Sequence, residues 1–241
     1  MNSEKDIGVT IDRHLNYEKH IQAQINKANQ IVELTRRSFV HLDNRTFSLL
    51  FKALVRPHLE YASSAWSSYK KKDIEAIENV QKRATRMLPQ MKNLNYEERL
   101  KLLKMPTSKF RRMRGDMIEA FKILTRLYDG SVTEGILDIS RSHITRGNAL
   151  KLVKHRSRRD IRKYGFTNRI VDLWNSLPNH IVEAKTIFQF ENRLDRHWEN
   201  HPMKYDFTAE YGPTTGRLEA VRNDAEELPI EPKQELQTES T

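Results

Sequence analysis

Residues 17–39 read YEKHIQAQINKANQIVELTRRSF. Apolar or small residues fall at Tyr17, Ile21, Ile25, Ala28, Val32 and Phe39, close to one face of a helix with about 3.6 residues per turn. The spacing predicts a single long helix, and with it a helical protein.

The same period continues toward the C-terminus. Asp43 or Asn44 can cap a second helix in which Phe47, Leu50, Phe51, Leu54, His58, Ala62 and Ala65 keep helical spacing. Pro57 is expected to kink this helix with Leu54 and Ala62 both facing inward, because proline removes a backbone donor and clashes with the preceding turn. A third helix starts near Asp73 and carries Ile74, Ile77, Val80, Ala84, Met87 and Leu88 to a stop at Pro89. Asn95-Tyr96-Glu97-Glu98 has the spacing of a capping box ahead of Leu100, Leu102 and Leu103. Thr107 or Ser108 opens a fifth helix through Phe110, Met113, Met117, Phe121, Leu124 and Tyr128, ending at Asp129-Gly130.

Outside this run the pattern changes. Ile7-Gly8-Val9-Thr10-Ile11 is β-branched around one glycine and predicts a short strand ending at Asp12, the remnant of a sheet expected outside this chain. Residues 131–160 predict a loop with one short strand at Leu150 to Lys154. Helical stretches at 167–176 and 186–199 flank Leu177-Pro178. The tail mixes Gly, Pro, Thr and Glu with few large apolar residues, a composition that cannot offset the entropy of ordering. The expected organisation is mainly α: a strand remnant over 1–15, a helical bundle over 16–130, a small basic α+β unit over 131–202 and a disordered acidic tail over 203–241.

Charge points to an anionic partner. The chain has 42 Lys/Arg against 32 Asp/Glu, a net of +10. The tail from 203 holds 4 basic and 9 acidic residues, leaving 38 against 23 in residues 1–202. Such an excess favours polyanions, nucleic acid first. The candidate contacts are Lys70, Lys71 and Lys72; Lys82, Arg83 and Arg86; Arg111, Arg112 and Arg114; and Arg156, Arg158 and Arg159. The last group lies in Arg141 to Lys163, where nine basic residues face the single acid Asp160. Tyr164 and Phe166 follow, rings that can stack on bases or pack in a core. Trp66, Trp174 and Trp198 sit in periodic apolar segments, where packing is the expected role.

Several chemistries find no support. Zero cysteines exclude disulfides and Cys-containing zinc sites. No apolar run approaches the roughly 18 residues of a membrane helix, and the start lacks a signal-peptide apolar region, so a soluble intracellular protein is expected. His197 and His201 are four apart, but no His-Glu-x-x-His pattern or third ligand accompanies them, and no metal is expected. Asp116 with Glu119 has neighbouring arginines as partners, and Glu97 with Glu98 is explained by capping. No catalytic constellation and no cofactor site is expected.

Six blocks occur in an order that is informative: Ile7-Gly8-Val9-Thr10-Ile11-Asp12 followed by His20-Ile21; Arg56-Pro57-His58-Leu59-Glu60-Tyr61-Ala62 with Trp66; Ile77-Glu78-Asn79-Val80-Gln81-Lys82-Arg83-Ala84; Tyr96-Glu97-Glu98-Arg99-Leu100; Arg111-Arg112-Met113-Arg114-Gly115-Asp116-Met117-Ile118-Glu119; and Trp174-Asn175-Ser176-Leu177-Pro178 leading to Phe190 and Trp198. Together they resemble the thumb and post-palm region of jockey-like and CR1-like non-LTR retrotransposon reverse transcriptases. The resemblance implies a thumb-like helical bundle that closes on a template-primer duplex through its backbone. It also implies a parent enzyme that copies its own RNA into DNA at a nicked target. That family's palm holds two metal ions on an aromatic-x-Asp-Asp motif and a further aspartate. No Asp-Asp pair exists in this chain, and the endonuclease domain of such elements is absent too. The expectation is a non-catalytic, nucleic-acid-holding piece of a mobile element, with an inert or protein-binding helical remnant as the alternative.

Overall fold

The computed structural model describes residues 3–140, 148 and 150–210, and these are mainly helical. The chain opens with a hairpin. Strand β1 (Ser3–Asp6) pairs antiparallel with β2 (Val9–Asp12), Ser3 opposite Asp12 and Asp6 opposite Val9. Ile7 and Gly8 have φ of 41° and 82°, the left-handed pair that a two-residue hairpin turn requires. The partner of the predicted strand therefore lies inside the chain, and Ile7-Gly8 is turn rather than strand. β-propensity misread Ile7, whose side chain is 81% exposed. The Tyr61 hydroxyl donates to the Ile7 carbonyl (3.0 Å), and Thr10 N–H donates to His20 Nδ1 (3.2 Å). The His20 ring meets Trp66 edge-on at 5.2 Å.

Helix α1 (Glu18–Ser38) buries Ile21, Ile25, Ala28 and Val32, as the period predicts. Helix α2 (Asn44–Leu50) is capped by Asp43, whose carboxylate accepts from Thr46 N–H at 2.7 Å. It runs without interruption through a π-helical turn, Phe51–Val55, into α3 (Arg56–Glu60). The turn's extra residue, placed just ahead of Pro57, rotates the inward face. Phe47, Phe51, Val55 and Leu59 are buried at steps of four, while Leu54 is 46% exposed. The expected inward Leu54 is thus corrected to Val55, and Ala62 falls beyond the helix end at a left-handed φ of 51°.

A short helix, α4 (Ser63–Trp66), and a loop lead into α5 (Lys71–Thr85). Helix α6 (Tyr96–Leu103) has the reciprocal capping box: Glu98 N–H donates to Asn95 Oδ1 (2.9 Å) and Asn95 N–H to Glu98 Oε2 (2.8 Å). Helix α7 (Ser108–Leu124) is capped by the Thr107 hydroxyl and stops before Tyr128, the chain turning at Arg126 with φ of 54°. Beyond it come α8 (Gly130–Thr133), α9 (Asp160–Lys163), α10 (Phe166–Arg169), α11 (Val171–Ser176), α12 (Asn179–Val182) and α13 (Ile187–His197). The predicted strand at Leu150 to Lys154 is an isolated antiparallel bridge, Leu152 opposite Ile139. Residues 141–147 and 149 of the predicted loop lie outside the described residues.

The described residues form two apolar clusters. The first joins Val9 of the hairpin to α1, α2, α3, α5 and α6. The second takes Phe110, Met117, Ala120 and Phe121 from α7 and closes them with α11, α12 and α13. In it Phe121 stacks on Phe190 at 4.4 Å, and Phe190 on Trp174 at 5.9 Å. All three tryptophans are buried.

Packing also extends past residue 202. Thr107 N–H donates to the Lys204 carbonyl (2.9 Å), and the Thr107 hydroxyl to the Met203 carbonyl (2.7 Å). Lys109 Nζ donates to the carbonyls of Phe207 (3.1 Å) and Ala209 (2.6 Å), and Met203 is buried. The boundary expected at 203 therefore moves to about 210. Averaging over the whole tail hid Met203, Tyr205 and Phe207 at its start, and residues 211–241 lie outside the described residues. A chain ending at Pro202 is expected to melt about 5–15 °C below one ending at Glu210, since losing a buried methionine alone costs about 2–5 kcal/mol. Thermal denaturation followed by circular dichroism checks this; equal midpoints would restore the earlier boundary.

Candidate nucleic-acid interface

The four basic clusters meet different fates. Arg111, Arg112 and Arg114 are taken up by the fold. Arg111 forms a forked pair with Glu60, both contacts 2.5 Å, and Arg114 one with Asp195 at 2.5 and 2.8 Å. Arg112 is 4% exposed. Burial pushes its guanidinium below the ordinary value, while Glu78 and Asp116 pull the other way. Arg56, half-buried and beside Arg111, is pushed down to about 10 by its loss of water. Arg111 and Arg114 thus serve as helix-to-helix ion pairs and Arg112 is enclosed, a role in the fold that the expected contact set did not include. The partner acids lie 51 and 81 residues away in sequence, where local charge counting cannot find them.

Behind this cluster sit two buried carboxylates. Glu78 accepts from the Tyr96 hydroxyl (2.5 Å) and from Ser108 N–H (2.9 Å). Asp116 accepts a forked pair from Arg169 at 2.8 Å each, and Arg169 also donates to the Ser64 carbonyl (2.9 Å). Burial raises both carboxyl pKa values, with the hydrogen bonds opposing it. Every one of these contacts ties one helix to another.

Lys82, Arg83 and Arg86 divide. Lys82 Nζ stands 4.1 Å from the centre of the Phe207 ring, held over the packed start of the tail. Arg83 and Arg86 stay exposed, on the same outer stripe of α5 as Lys72, Glu75 and Asn79.

The segments that carry the remaining two clusters touch through residues that flank them. Tyr69, just ahead of Lys70, Lys71 and Lys72, stacks on Tyr164 with ring centres 4.1 Å apart and planes 14° from parallel. Tyr164 closes the stretch that carries Arg156, Arg158, Arg159, Arg162 and Lys163, all exposed. A cavity of about 150 Å³ is lined from both sides, by Tyr69 and Lys70 and by Ile161, Tyr164 and Gly165.

Local bonds hold each side in place. The Ser68 hydroxyl accepts from Lys70 N–H (3.1 Å) and donates to Asp73 (2.7 Å), fixing the entry to α5. Lys72 pairs with Glu18 at 2.7 Å, but both side chains are open to solvent, where screening leaves such a pair little value. On the other side the buried Asn168 amide donates to Ser157 Oγ (2.6 Å) and the Arg162 carbonyl (3.0 Å), pinning the arginine-rich loop. Asn168 carried no local signal in the sequence. Phe166 packs against the second cluster, so of the two candidate stacking rings only Tyr164 belongs to this surface.

His201 Nδ1 accepts from Met203 N–H (3.2 Å), and its ring packs on Phe110 and Trp198. Among the described residues no three His, Asp or Glu side chains gather as a metal site, and no described helix is long and apolar enough to cross a membrane. Compared with known proteins, the chain matches no family model, no curated protein and no solved structure.

Proposed function

We propose that this chain is the non-catalytic, thumb-like C-terminal part of a non-LTR retrotransposon RNA-directed DNA polymerase, and that it holds nucleic acid through backbone phosphates without reading sequence. The observation that supports this reading is the Tyr69–Tyr164 stack, which joins the start of the Lys70, Lys71 and Lys72 segment to the end of the exposed stretch that carries Arg156, Arg158 and Arg159. Clustered cations on one surface displace condensed counterions from a phosphate chain, and arginine adds forked hydrogen bonds. Polymerisation needs paired aspartates for two metal ions, whereas here Asp116 is spent on Arg169. Its working place is inside the cell, where nucleic acid is found.

Replacing Arg156, Arg158 and Arg159 together by alanine is expected to weaken binding to unrelated duplexes by similar factors. Each lost phosphate contact should lower the log-log salt slope by about 0.9 on duplex DNA. Filter binding across a salt series, with a polyanion competitor as control, reads both. Unchanged affinity would make the cluster a solvated loop, and a much larger loss on one sequence would mean that bases are read. A protein-binding helical remnant is the second reading, favoured by the exposed Leu34, Val40 and Leu49 around the α1–α2 connection; it predicts no binding beyond that of the polyanion control.

A further inference from the structure

We infer that the Tyr69–Tyr164 pair is a platform for an unpaired base, so that the ligand class of this surface is single-stranded nucleic acid, or the single-stranded part of a junction. This rests on the proposed function and narrows it. Aromatic pairs in proteins more often lie offset or edge-on, with centres about 4.5–7 Å apart. This pair is nearly parallel at 4.1 Å, and Tyr69 keeps 40% of its surface open. Tyr164 backs it from the half-buried side, with Lys163 Nζ 5.1 Å from the centre of the Tyr164 ring. A ring recruited only for packing has no need to stay open, and an isolated surface ring has no second ring behind it.

The surroundings match the two needs of a single strand, a π-face for the base and cations for the flanking phosphates. Lys70 lines the cavity beside the stack, Lys71 follows at the start of α5, and Arg158, Arg159 and Arg162 lie on the chain that leads to Tyr164. At about 150 Å³ the cavity falls below the roughly 300–1,000 Å³ of pockets that enclose drug-sized molecules. It suits one ring system entering from a chain that stays outside. The platform is also held firmly. A Cβ on Gly165 would stand 3.1 Å from the Ile161 carbonyl oxygen, so the turn behind Tyr164 is tight. Bases inside a duplex are covered by their neighbours and cannot reach Tyr69.

The test compares three ligands on the full chain by fluorescence anisotropy at fixed salt: a short oligothymidine strand, an abasic strand of the same length and charge, and a duplex. The expected result is that removing the bases weakens binding about 5- to 150-fold, the range for stacking one base on an aromatic side chain. Tyr69→Leu should abolish that difference, read as the ratio of the affinities for the natural and the abasic strand. If the wild-type chain binds natural and abasic strands equally, yet still binds the duplex with a steep salt dependence, the platform is refuted and the proposed function stands. If Tyr69→Leu keeps the full preference for bases, stacking happens elsewhere and the inference falls. If no ligand binds beyond the polyanion control, the proposed function itself fails.

Discussion

Trp174→Ala is expected to destabilise the protein by about 3–5 kcal/mol, enough to lower the melting midpoint by roughly 6–20 °C. Trp174 has no exposed surface, and its ring stacks on Phe190, which in turn stacks on Phe121. Its indole N–H donates to the Leu150 carbonyl at 2.8 Å. Truncation leaves a void between α7, α11 and α13 and strips the half-buried Leu150 carbonyl of that donor, two losses that add. Trp174→Phe keeps most of the ring and loses the hydrogen bond, so it should cost about 1–2 kcal/mol. Urea denaturation of the two variants separates packing from hydrogen bonding. A loss under 1 kcal/mol for alanine would mean that the second apolar cluster is not closed in solution.

Glu78→Ala is the second large effect, expected at about 3–5 kcal/mol. The carboxylate is fully buried, accepts from Tyr96 and Ser108, and supplies negative charge to the buried Arg112. Burial shifts both Glu78 and Arg112 toward their neutral forms. Buried ion pairs of this kind often contribute no more than an apolar core of the same shape. Removing Glu78 is a different matter, because it leaves two donors without an acceptor and takes from the buried Arg112 one of the carboxylates that face it. Glu78→Gln restores an acceptor but not the charge, and should fall between wild type and alanine. Equal midpoints for wild type and Glu78→Ala in urea would show that water replaces the carboxylate at no cost.

Much of the fold was legible in the sequence for a simple reason. Ile21, Ile25, Ala28 and Val32 mark a helical face by spacing alone, and Asn95 with Glu98 marks a helix start by local chemistry. Where local rules failed, the cause was also local. One extra residue in the π turn moved the inward position from Leu54 to Val55, and a left-handed Ile7 turned an apparent strand into a hairpin bend. The candidate site was only half legible. Lys70 to Lys72 and Arg156 to Arg159 stood out as clusters, but nothing near either revealed that Tyr69 meets Tyr164. Nor could the pairing of Arg111 with Glu60, or the burial of Asn168, be found by reading neighbours.

The bonds from Thr107 to Met203 and Lys204 have a consequence for the order in which the protein is made. Thr107 caps α7, and Met203 lies 96 residues further along the chain. At a synthesis rate of about 5–20 residues per second, the start of α7 waits roughly 5–20 s for its final cover. During that interval Phe110, Met117 and Phe121 form an uncovered apolar stripe beside a growing basic segment. The pace of the ribosome, more than the intrinsic speed of helix formation, sets how long that stripe stays uncovered.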